Sequence, residues 1–352
     1  MLAPQISVTS YLIVISVTVW GNCESIRPLL EIKVPQFTST EKSAFALSLA
    51  LQGGGSFGAF TWGVLDRLLE DERVTYDTIS GASAGAVNAV LLASGLREGG
   101  RALARERLNI FWTKVGSLSS SSLLSLMAGI AGQMMRSSMS PYQFNPFDLN
   151  PLRELLIQYV DFDALKSPLA VKLLISATHV RDGEMRLFRN ADLTVDHILA
   201  SACLPLLHHT IMIDGEAYWD GGYVANPALV DLIDESYTST ILLVQITPMR
   251  SSQIPKTHHD IARRLDQIHF NSSLMREIEI IKMLQDKARR SFWALSAFER
   301  KLRALRLERL TAEDMMSGLD QANAGDVKLS FLTSLRDKGR EVAESWLRNH
   351  LG

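Results

Sequence analysis

The chain has 352 residues, of which 47% are hydrophobic and 21% are charged, and its formal net charge is −2. This composition is typical of a globular protein and excludes a disordered chain, while the charge gives no electrostatic basis for nucleic-acid binding. The two cysteines, Cys23 and Cys203, have neither the spacing of a zinc site nor the number that a disulfide framework needs.

Residues 1–40 are predicted to form an N-terminal extension. Within it Ile6–Trp20 carries no charge, but the first basic residue, Arg27, follows this stretch, whereas a secretory signal has basic residues before it. The stretch is also shorter than the ~18–20 apolar residues of a membrane-spanning helix. A signal, an anchor and an extension outside the fold therefore stay open. The expected location is cytoplasmic or peripheral to a membrane, with export through this segment as the alternative.

Residues 41–250 show the alternation of an α/β domain. An apolar run at Ala44–Leu51 predicts a buried strand, and Gly58–Glu70 has apolar residues at helical spacing. A second apolar run, Val74–Ser80, is followed by the helical stretch "AVNAVLLASGL". Two further buried strands are predicted within Leu169–Val180 and Ser239–Pro248. Strands that alternate with helices in this way predict a mostly parallel sheet.

Two segments do not follow this alternation of strands and helices. The serine-rich stretch Ser117–Ser125, with the residues up to Met139, suits a surface insertion or lid, although a loop and helix packed on the core is favoured. Residues 251–352 are predicted to form a C-terminal helical region, packed on the domain or appended to it. Within this region Lys256–Arg309 is predicted to be helical, basic and amphipathic. Such a helix can bind an anionic membrane surface, but the favoured interpretation is that its apolar face packs on the domain.

A glycine-rich turn follows the first strand. Gly53, Gly55 and Gly58 satisfy G-x-G-x-x-G, the fingerprint of a dinucleotide-binding turn. Such a site needs an acidic residue at the end of the next strand, whereas Asp77 lies inside that strand. Because the next strand ends at a nucleophile motif instead, we interpret the glycine turn as an oxyanion loop whose backbone N–H groups bind a negatively charged oxygen.

The nucleophile motif is Gly81-Ala82-Ser83-Ala84-Gly85, a G-x-S-x-G sequence between a predicted strand and a predicted helix. The glycines relieve crowding in the sharp turn that exposes the serine hydroxyl at the helix N-terminus. A serine nucleophile needs a base. The residues alone leave several candidates open, which are His179, His208, His209 and, in a D-G-G turn, Asp220.

The order of the three motifs resembles the patatin-like phospholipases of the bacterial type, a family of lipid acyl hydrolases. The resemblance covers roughly Ala44–Leu243, including "DLNPL" and "DGGYVANP". It implies a patatin-like three-layer α/β/α fold with C-terminal helices. It also implies a Ser83–Asp220 dyad that forms an acyl-enzyme without a cofactor or metal. The other site residues it implies are Gly53, Gly54, Gly55, Ser56 and Gly58 in the oxyanion loop, Gly81 and Gly85 in the elbow, and Gly221 and Gly222 in the dyad turn.

The implied partner is a lipid or phospholipid at a membrane surface, and whether a protein activates the enzyme is left open. The chain departs from the family pattern at Phe57, where many members have Arg or Lys, and we expect this side chain to make the mouth of the site more apolar. Two alternatives remain. One is an α/β-hydrolase esterase with a Ser-Asp-His triad, for which His208 or His209 would be the base, and the other is a catalytically silent lipid- or membrane-binding protein.

Overall fold

The computed structural model describes residues 44–118, 139–250, 254–291, 295–311 and 327–352, all within one compact unit, Lys42–Gly352. The strands are β1 Phe45–Leu51, β2 Val74–Gly81, β3 Lys172–His179, β4 Met185–Arg189, β5 Ile211–Ile213, β6 Glu216–Asp220, β7 Thr240–Gln245 and β8 Arg306–Thr311. The helices are α1 Gly58–Glu70, α2 Ala84–Leu118, α3 Pro141–Phe144, α4 Pro151–Tyr159, α5 Phe162–Leu165, α6 Val195–Ser201, α7 Leu229–Glu235, α8 His258–Arg290, α9 Ala297–Ala304 and α10 Leu329–Leu351. Two 3₁₀ turns, Gly55–Phe57 and Gly221–Tyr223, carry two of the predicted motifs.

The strands form one mixed sheet in the order β5-β6-β3-β2-β1-β7-β8, with β4 also paired to β3. The strands β3, β2, β1, β7 and β8 run parallel to one another, whereas β4 and β6 pair with β3 in the antiparallel direction and β5 pairs with β6 in the same way. Since β1 pairs with both β2 and β7, the glycine turn that follows β1 leaves the middle of the sheet. The prediction of a mostly parallel sheet is confirmed.

Each face of the sheet is covered by helices. Along β1, Leu47, Leu49 and Leu51 belong to one buried apolar cluster, while Ala50 points into the other, as the alternation of side chains along a strand requires. The first cluster includes apolar residues of α1, α2 and α10, and the second those of α7, α8 and α9. The fold is therefore the predicted three-layer α/β/α sandwich.

The C-terminal region differs from the prediction at its centre. Helix was predicted throughout Lys256–Arg309, but the structure has α8, α9 and then a strand, β8, which pairs with β7 in parallel. The sequence "LRALRLER" has leucines at helical spacing, yet the open edge of β7 supplies backbone hydrogen-bond partners that outweigh this local preference. Leu302 and Leu305 are buried in the second cluster, so the apolar side of this stretch packs on the domain, as the favoured interpretation had it.

Helices α1 and α10 cross at very close range. A Cβ atom on Gly63 of α1 would lie 1.9 Å from the carbonyl oxygen of Arg336, and a Cβ on Gly339 of α10 would lie 2.1 Å from that of Phe60. The two glycines therefore allow backbone-to-backbone contact. Asp66 of α1 also forms an ion pair with Arg340 of α10.

Gly339→Val is expected to lower the free energy of unfolding by about 3 kcal/mol, because the added side chain forces the two helix backbones apart and loosens the core between them. Urea denaturation of the purified variant measures this loss. Ser334→Val, an exposed substitution on the same helix, is the matched control and should change the value by less than about 0.5 kcal/mol. Equal stability of the two variants would contradict the close crossing.

Two of the segments discussed in the sequence lie outside the described residues. They are the N-terminal extension 1–40 and, from residue 119 to residue 138, the greater part of the predicted insertion. Among the helices of the described residues, none has both the length and the apolar character needed to cross a membrane.

Candidate active site

Ser83 occupies a sharp turn between β2, which ends at Gly81, and α2, which begins at Ala84. Its φ of 52° lies in the left-handed region, which a residue with a side chain occupies at a cost of about 1 kcal/mol or more. The backbone N–H of Ser83 donates to Oγ of Ser201 at 3.0 Å, which anchors the turn to the end of α6. The structure thus has a sharp strand-to-helix turn at the motif, with Ser83 just before α2, whose backbone leaves the helical conformation at Gly100.

Asp220 lies at the end of β6 and is fully buried. Its N–H donates to the carbonyl of Cys203 at 2.9 Å, and its own carbonyl accepts from the hydroxyl of Thr178 at 2.7 Å, so the backbone is fixed on both sides. Within the side chain, Oδ1 accepts from the N–H of Gly222 at 2.7 Å. The second oxygen, Oδ2, is buried and has no hydrogen-bond partner among the described residues.

The environment of Asp220 changes its protonation. Burial raises the pKa of this carboxyl group from 3.8 to about 7, and the hydrogen bond from Gly222 and the nearby Ser83 hydroxyl oppose the rise. The Ser83 hydroxyl is therefore close enough to favour the carboxylate, although no hydrogen bond of ordinary length joins it to Oδ2. A carboxyl group with a pKa near 7 and one unused oxygen can accept a proton from a neighbouring hydroxyl at neutral pH.

The sheet explains why these two residues meet. Strands β2 and β6 pair with β3 along the same edge, β2 with residues 172–175 and β6 with residues 177–179, while β4 pairs with residues 174–178 along the other edge. Gly81 at the end of β2 pairs with Ile175, and Asp220 at the end of β6 pairs with Ala177, two residues further along β3. The last residues of β2 and β6 therefore lie beside the same half of β3, although Ser83 and Asp220 are far apart in the chain.

The glycine turn passes directly against Ser83. A Cβ atom on Gly53 would lie 2.7 Å from Cβ of Ser83, so a residue with a side chain cannot stand there without displacing Ser83. The N–H of Gly53 donates to Oδ1 of Asn226 at 2.7 Å. The N–H of Gly58 bonds to the carbonyls of Gly55 and Ser56, which closes the 3₁₀ turn.

The loop residues therefore differ in what their N–H groups can do. Gly53 and Gly58, which the sequence placed in the oxyanion loop, use theirs to hold the loop. The N–H groups of Gly54 and Gly55 have no acceptor among the described residues. Gly55 has φ 58°, a conformation that favours glycine, and Ser56 is buried in the turn that follows.

Asn226 is a site residue that sequence reasoning missed. It is fully buried, accepts from Gly53 and donates through Nδ2 to the carbonyl of Phe270 at 3.0 Å. In the sequence it belongs to "DGGYVANP", where an Asn before a proline reads as the start of a helix. Its closeness to the D-G-G turn was the one local signal, since the contact with Gly53 spans 173 positions.

The remaining predicted glycines form the turns at Ser83 and Asp220. The N–H of Gly85 donates to the carbonyl of Ala82 at 2.8 Å within the elbow, where Gly81 packs against the backbone of Gly85. Gly221 and Gly222 follow Asp220 in a 3₁₀ turn, and Gly222 supplies the hydrogen bond to Oδ1.

Two of the three histidines considered as bases, His179 and His209, bond to groups outside the Ser83–Asp220 pair. His179 lies between Glu216 at 2.9 Å and Asp182 at 2.8 Å, and these carboxylates raise its pKa. His209 donates through Nε2 to the carbonyl of Pro141 at 3.2 Å, and burial lowers the pKa of His208. Among the described residues, no histidine has a hydrogen bond to Ser83 or to Asp220.

Phe57 lies where many patatin-like proteins have a basic residue. The expectation that it makes the mouth of the site more apolar is wrong, because its ring is only 3% exposed and belongs to the first apolar cluster. The ring meets that of Phe331 of α10 edge to face, with centroids 6.2 Å apart. An aromatic ring is more stable in such a contact than in water, so the side chain turns inward and links the glycine turn to α10.

Comparisons with known proteins agree with the motif order. A family model described as patatin-like phospholipase matches residues 49–233, which is more than half of the chain and confirms the resemblance stated above. A comparison with curated protein sequences gave no match. Among solved structures, the chain is similar to the crystal structure of VipD from Legionella pneumophila, with 14% identity and a TM-score of 0.39. The similarity covers 88% of this chain and 67% of that one, and it is too distant to support an argument.

Proposed function

Because the chain belongs to the patatin-like phospholipase family, we propose that it is a serine lipid acyl hydrolase with a Ser83–Asp220 dyad. Membership of the family indicates a lipid hydrolase in general terms, and the dyad is the finer proposal. The observation that carries it is the buried carboxyl group of Asp220, which is close enough to the Ser83 hydroxyl to interact with it and whose Oδ2 lacks a hydrogen-bond partner among the described residues.

In the proposed first step, Oγ of Ser83 attacks the carbonyl carbon of a fatty-acyl ester while its proton passes to Asp220. The carbonyl oxygen becomes an oxyanion, which accepts hydrogen bonds from the N–H groups of Gly54 and Gly55. Backbone donors held in place before the reaction stabilise such an oxyanion by several kcal/mol. Ser83 directly precedes α2, and the positive end of that helix's dipole favours the same negative charge.

The proposed intermediate then collapses. The bond between the carbonyl carbon and the alcohol oxygen breaks, and Asp220 returns its proton to the departing alcohol, which leaves an acyl-enzyme on Ser83. A water molecule attacks the acyl carbon as Asp220 accepts its proton. The proton passes back to Oγ of Ser83 as the fatty acid leaves, so the enzyme returns to its starting state without a cofactor.

The proposed substrate is an acyl ester of a lipid or phospholipid at a membrane surface. This part rests on the family, since Phe57 is buried and no residue in the glycine turn is basic. The oxyanion donors we propose are backbone groups, so the ester chemistry does not depend on the side chain at position 57. We therefore place selectivity for the head group outside the glycine turn.

The proposal is tested by labelling with a fluorophosphonate, which reacts with activated serines, followed by mass mapping of the labelled peptide. We expect the label on Ser83 in the wild-type protein and its loss in Asp220→Asn. A protein that hydrolyses no lipid ester and takes no label at Ser83 would contradict the proposal and favour a silent lipid-binding protein.

His208→Ala and His209→Ala are expected to keep labelling and hydrolysis within about threefold of wild type, because neither ring bonds to a member of the dyad. Initial rates of ester hydrolysis by the two variants and the double variant measure this. Each variant is compared with wild type for its melting temperature, since both side chains are partly buried. A loss of 10³-fold or more in a folded histidine variant would establish a Ser-Asp-His triad instead.

A further inference from the structure

The helix α8 lies beyond residues 49–233, to which the family model applies, yet it contacts both halves of the site. Two consecutive residues make these contacts. The carbonyl of Phe270 accepts from Asn226, which in turn holds Gly53, and the side chain of Asn271 reaches Gln52, the residue before the glycine turn.

The contact of Asn271 is part of a buried polar cluster, which we define as Gln52, Gln245 and Asn271. Nε2 of Gln52 donates to Oδ1 of Asn271 at 2.9 Å, and Nε2 of Gln245 donates to the same oxygen at 3.3 Å. Nδ2 of Asn271 donates to the carbonyl of Pro248 at 3.0 Å. Asn271 is 6% exposed, so water cannot readily replace these bonds.

Gln52 connects this cluster to the glycine turn. Its Oε1 accepts from the backbone N–H groups of Ile246 at 2.9 Å and Thr247 at 2.8 Å. Thr247 donates from its hydroxyl to the carbonyl of Gly53 at 3.3 Å. The side chain of Gln52 is thus bound at both ends, by Asn271 on one side and by the chain after β7 on the other, and the glycine turn starts at the next residue.

We infer that Asn271 of α8 is a positioning residue, which holds Gln52 and through it the proposed oxyanion loop. The inference rests on the proposed function. Removing Oδ1 of Asn271 leaves two buried amide donors without an acceptor, so the side chain of Gln52 must move to find another. Because misplacement of a catalytic group by about 1 Å can cost ~10²-fold in rate, a small shift of Gly54 and Gly55 reduces stabilisation of the oxyanion.

The test compares Asn271→Leu, which has nearly the same size and no polar group, with Leu274→Ala on the same helix. Leu274 is fully buried in the second apolar cluster, so its variant loses stability without touching Gln52. Asn271→Leu should lower kcat by about 10- to 100-fold with KM within about threefold. Leu274→Ala should keep kcat within about twofold when both are assayed below their melting temperatures.

Two further readouts separate positioning from general stability. The pH at which the rate reaches half its maximum should stay the same in Asn271→Leu, because no hydrogen bond among the described residues joins the side chain of Asp220 to the polar cluster. Hydrogen exchange of peptides covering residues 52–57 should speed up in Asn271→Leu and not in Leu274→Ala, whether or not the protein is active. If Asn271→Leu does not fold, Gln52→Met breaks the same bond from the other side.

Several results would overturn the inference. They are a wild-type kcat in folded Asn271→Leu or Gln52→Met, an equal loss of kcat in Leu274→Ala, or unchanged exchange in residues 52–57. The absence of Ser83-dependent hydrolysis in the wild type would reject the proposed function instead, and the exchange measurement would then decide the role of Asn271 by itself.

Discussion

Ser83→Ala is expected to lower kcat/KM for hydrolysis of a lipid acyl ester by about 10⁵-fold. In the proposed mechanism the substitution removes the atom that forms the acyl-enzyme, and no other group can replace it. Loss of a serine nucleophile costs on the order of 10⁶-fold in comparable sites. Release of fatty acid from phospholipid vesicles measures the residual rate. The fluorophosphonate label at this position should disappear as well.

The matched control is Ser80→Ala. Ser80 is a fully buried serine near the end of β2, and its hydroxyl has no hydrogen-bond partner among the described residues, so its removal should leave the rate within about twofold. Ser83→Gly provides a second comparison, because glycine tolerates the φ of 52° that strains the elbow, and this variant should be at least as stable as Ser83→Ala. More than about 1% of the wild-type rate in Ser83→Ala would place the nucleophile elsewhere.

Asp220→Asn is expected to lower kcat/KM by about 10³- to 10⁴-fold while the protein stays folded, by analogy with the replacement of an acidic residue in a catalytic triad. The amide oxygen can still accept the hydrogen bond from Gly222, so the turn is kept, but the amide cannot accept the Ser83 proton. Circular dichroism checks the fold, and hydrolysis at several pH values measures the rate. A variant that keeps more than a tenth of the wild-type rate would contradict the role of the carboxylate.

The pKa of Asp220 also predicts how the wild-type protein responds to pH. The rate should rise as the pH increases through about 7 and then level off, because only the carboxylate accepts a proton. Between about pH 4 and pH 7 the folded protein keeps this carboxyl protonated while the unfolded chain does not. The folded state therefore binds more protons over that range, and the free energy of unfolding falls as the pH rises.

The size of this effect follows from the two pKa values. At about 1.4 kcal/mol per pH unit, a rise from 3.8 to about 7 corresponds to on the order of 4 kcal/mol. Asp220→Asn removes the titration, so the variant should be more stable than wild type at pH 8 and nearly equal to it at pH 4. Urea denaturation at the two values measures the difference. If the difference in the free energy of unfolding between Asp220→Asn and wild type is the same at pH 4 and pH 8, Asp220 titrates normally.

Local patterns were enough to predict the parts of the fold that short stretches determine. The helix Gly58–Glu70 has the predicted bounds, and the strands beginning near Phe45 and Val74 are where their apolar runs lie. The elbow around Ser83 could also be predicted, because G-x-S-x-G between a strand and a helix has few other uses. In each case the residues that determine the structure are neighbours in the chain.

Long-range contacts determine the features that the sequence did not reveal. Strand β8 depends on the open edge of β7, which a helical pattern of leucines cannot indicate. The contacts of Asn226 with Gly53 and of Asn271 with Gln52 span 173 and 219 positions, and each asparagine reads locally as an ordinary surface or turn residue. The raised pKa of Asp220 follows from complete burial, and D-G-G alone suggests an exposed turn.

The crossing of α1 and α10 has a consequence for how the chain reaches its folded state. Arg67 and Glu344, which form an ion pair between these helices, are 277 positions apart, and Phe57 meets Phe331 in the same layer. Contacts of such high sequence separation slow folding, because a long loop must close before they form. On the ribosome, α1 leaves the exit tunnel long before its partner is made. Until α10 has been synthesised, the apolar side of α1 is exposed to chaperones and to other chains. Even a short deletion within α10 should therefore strongly reduce the yield of soluble protein.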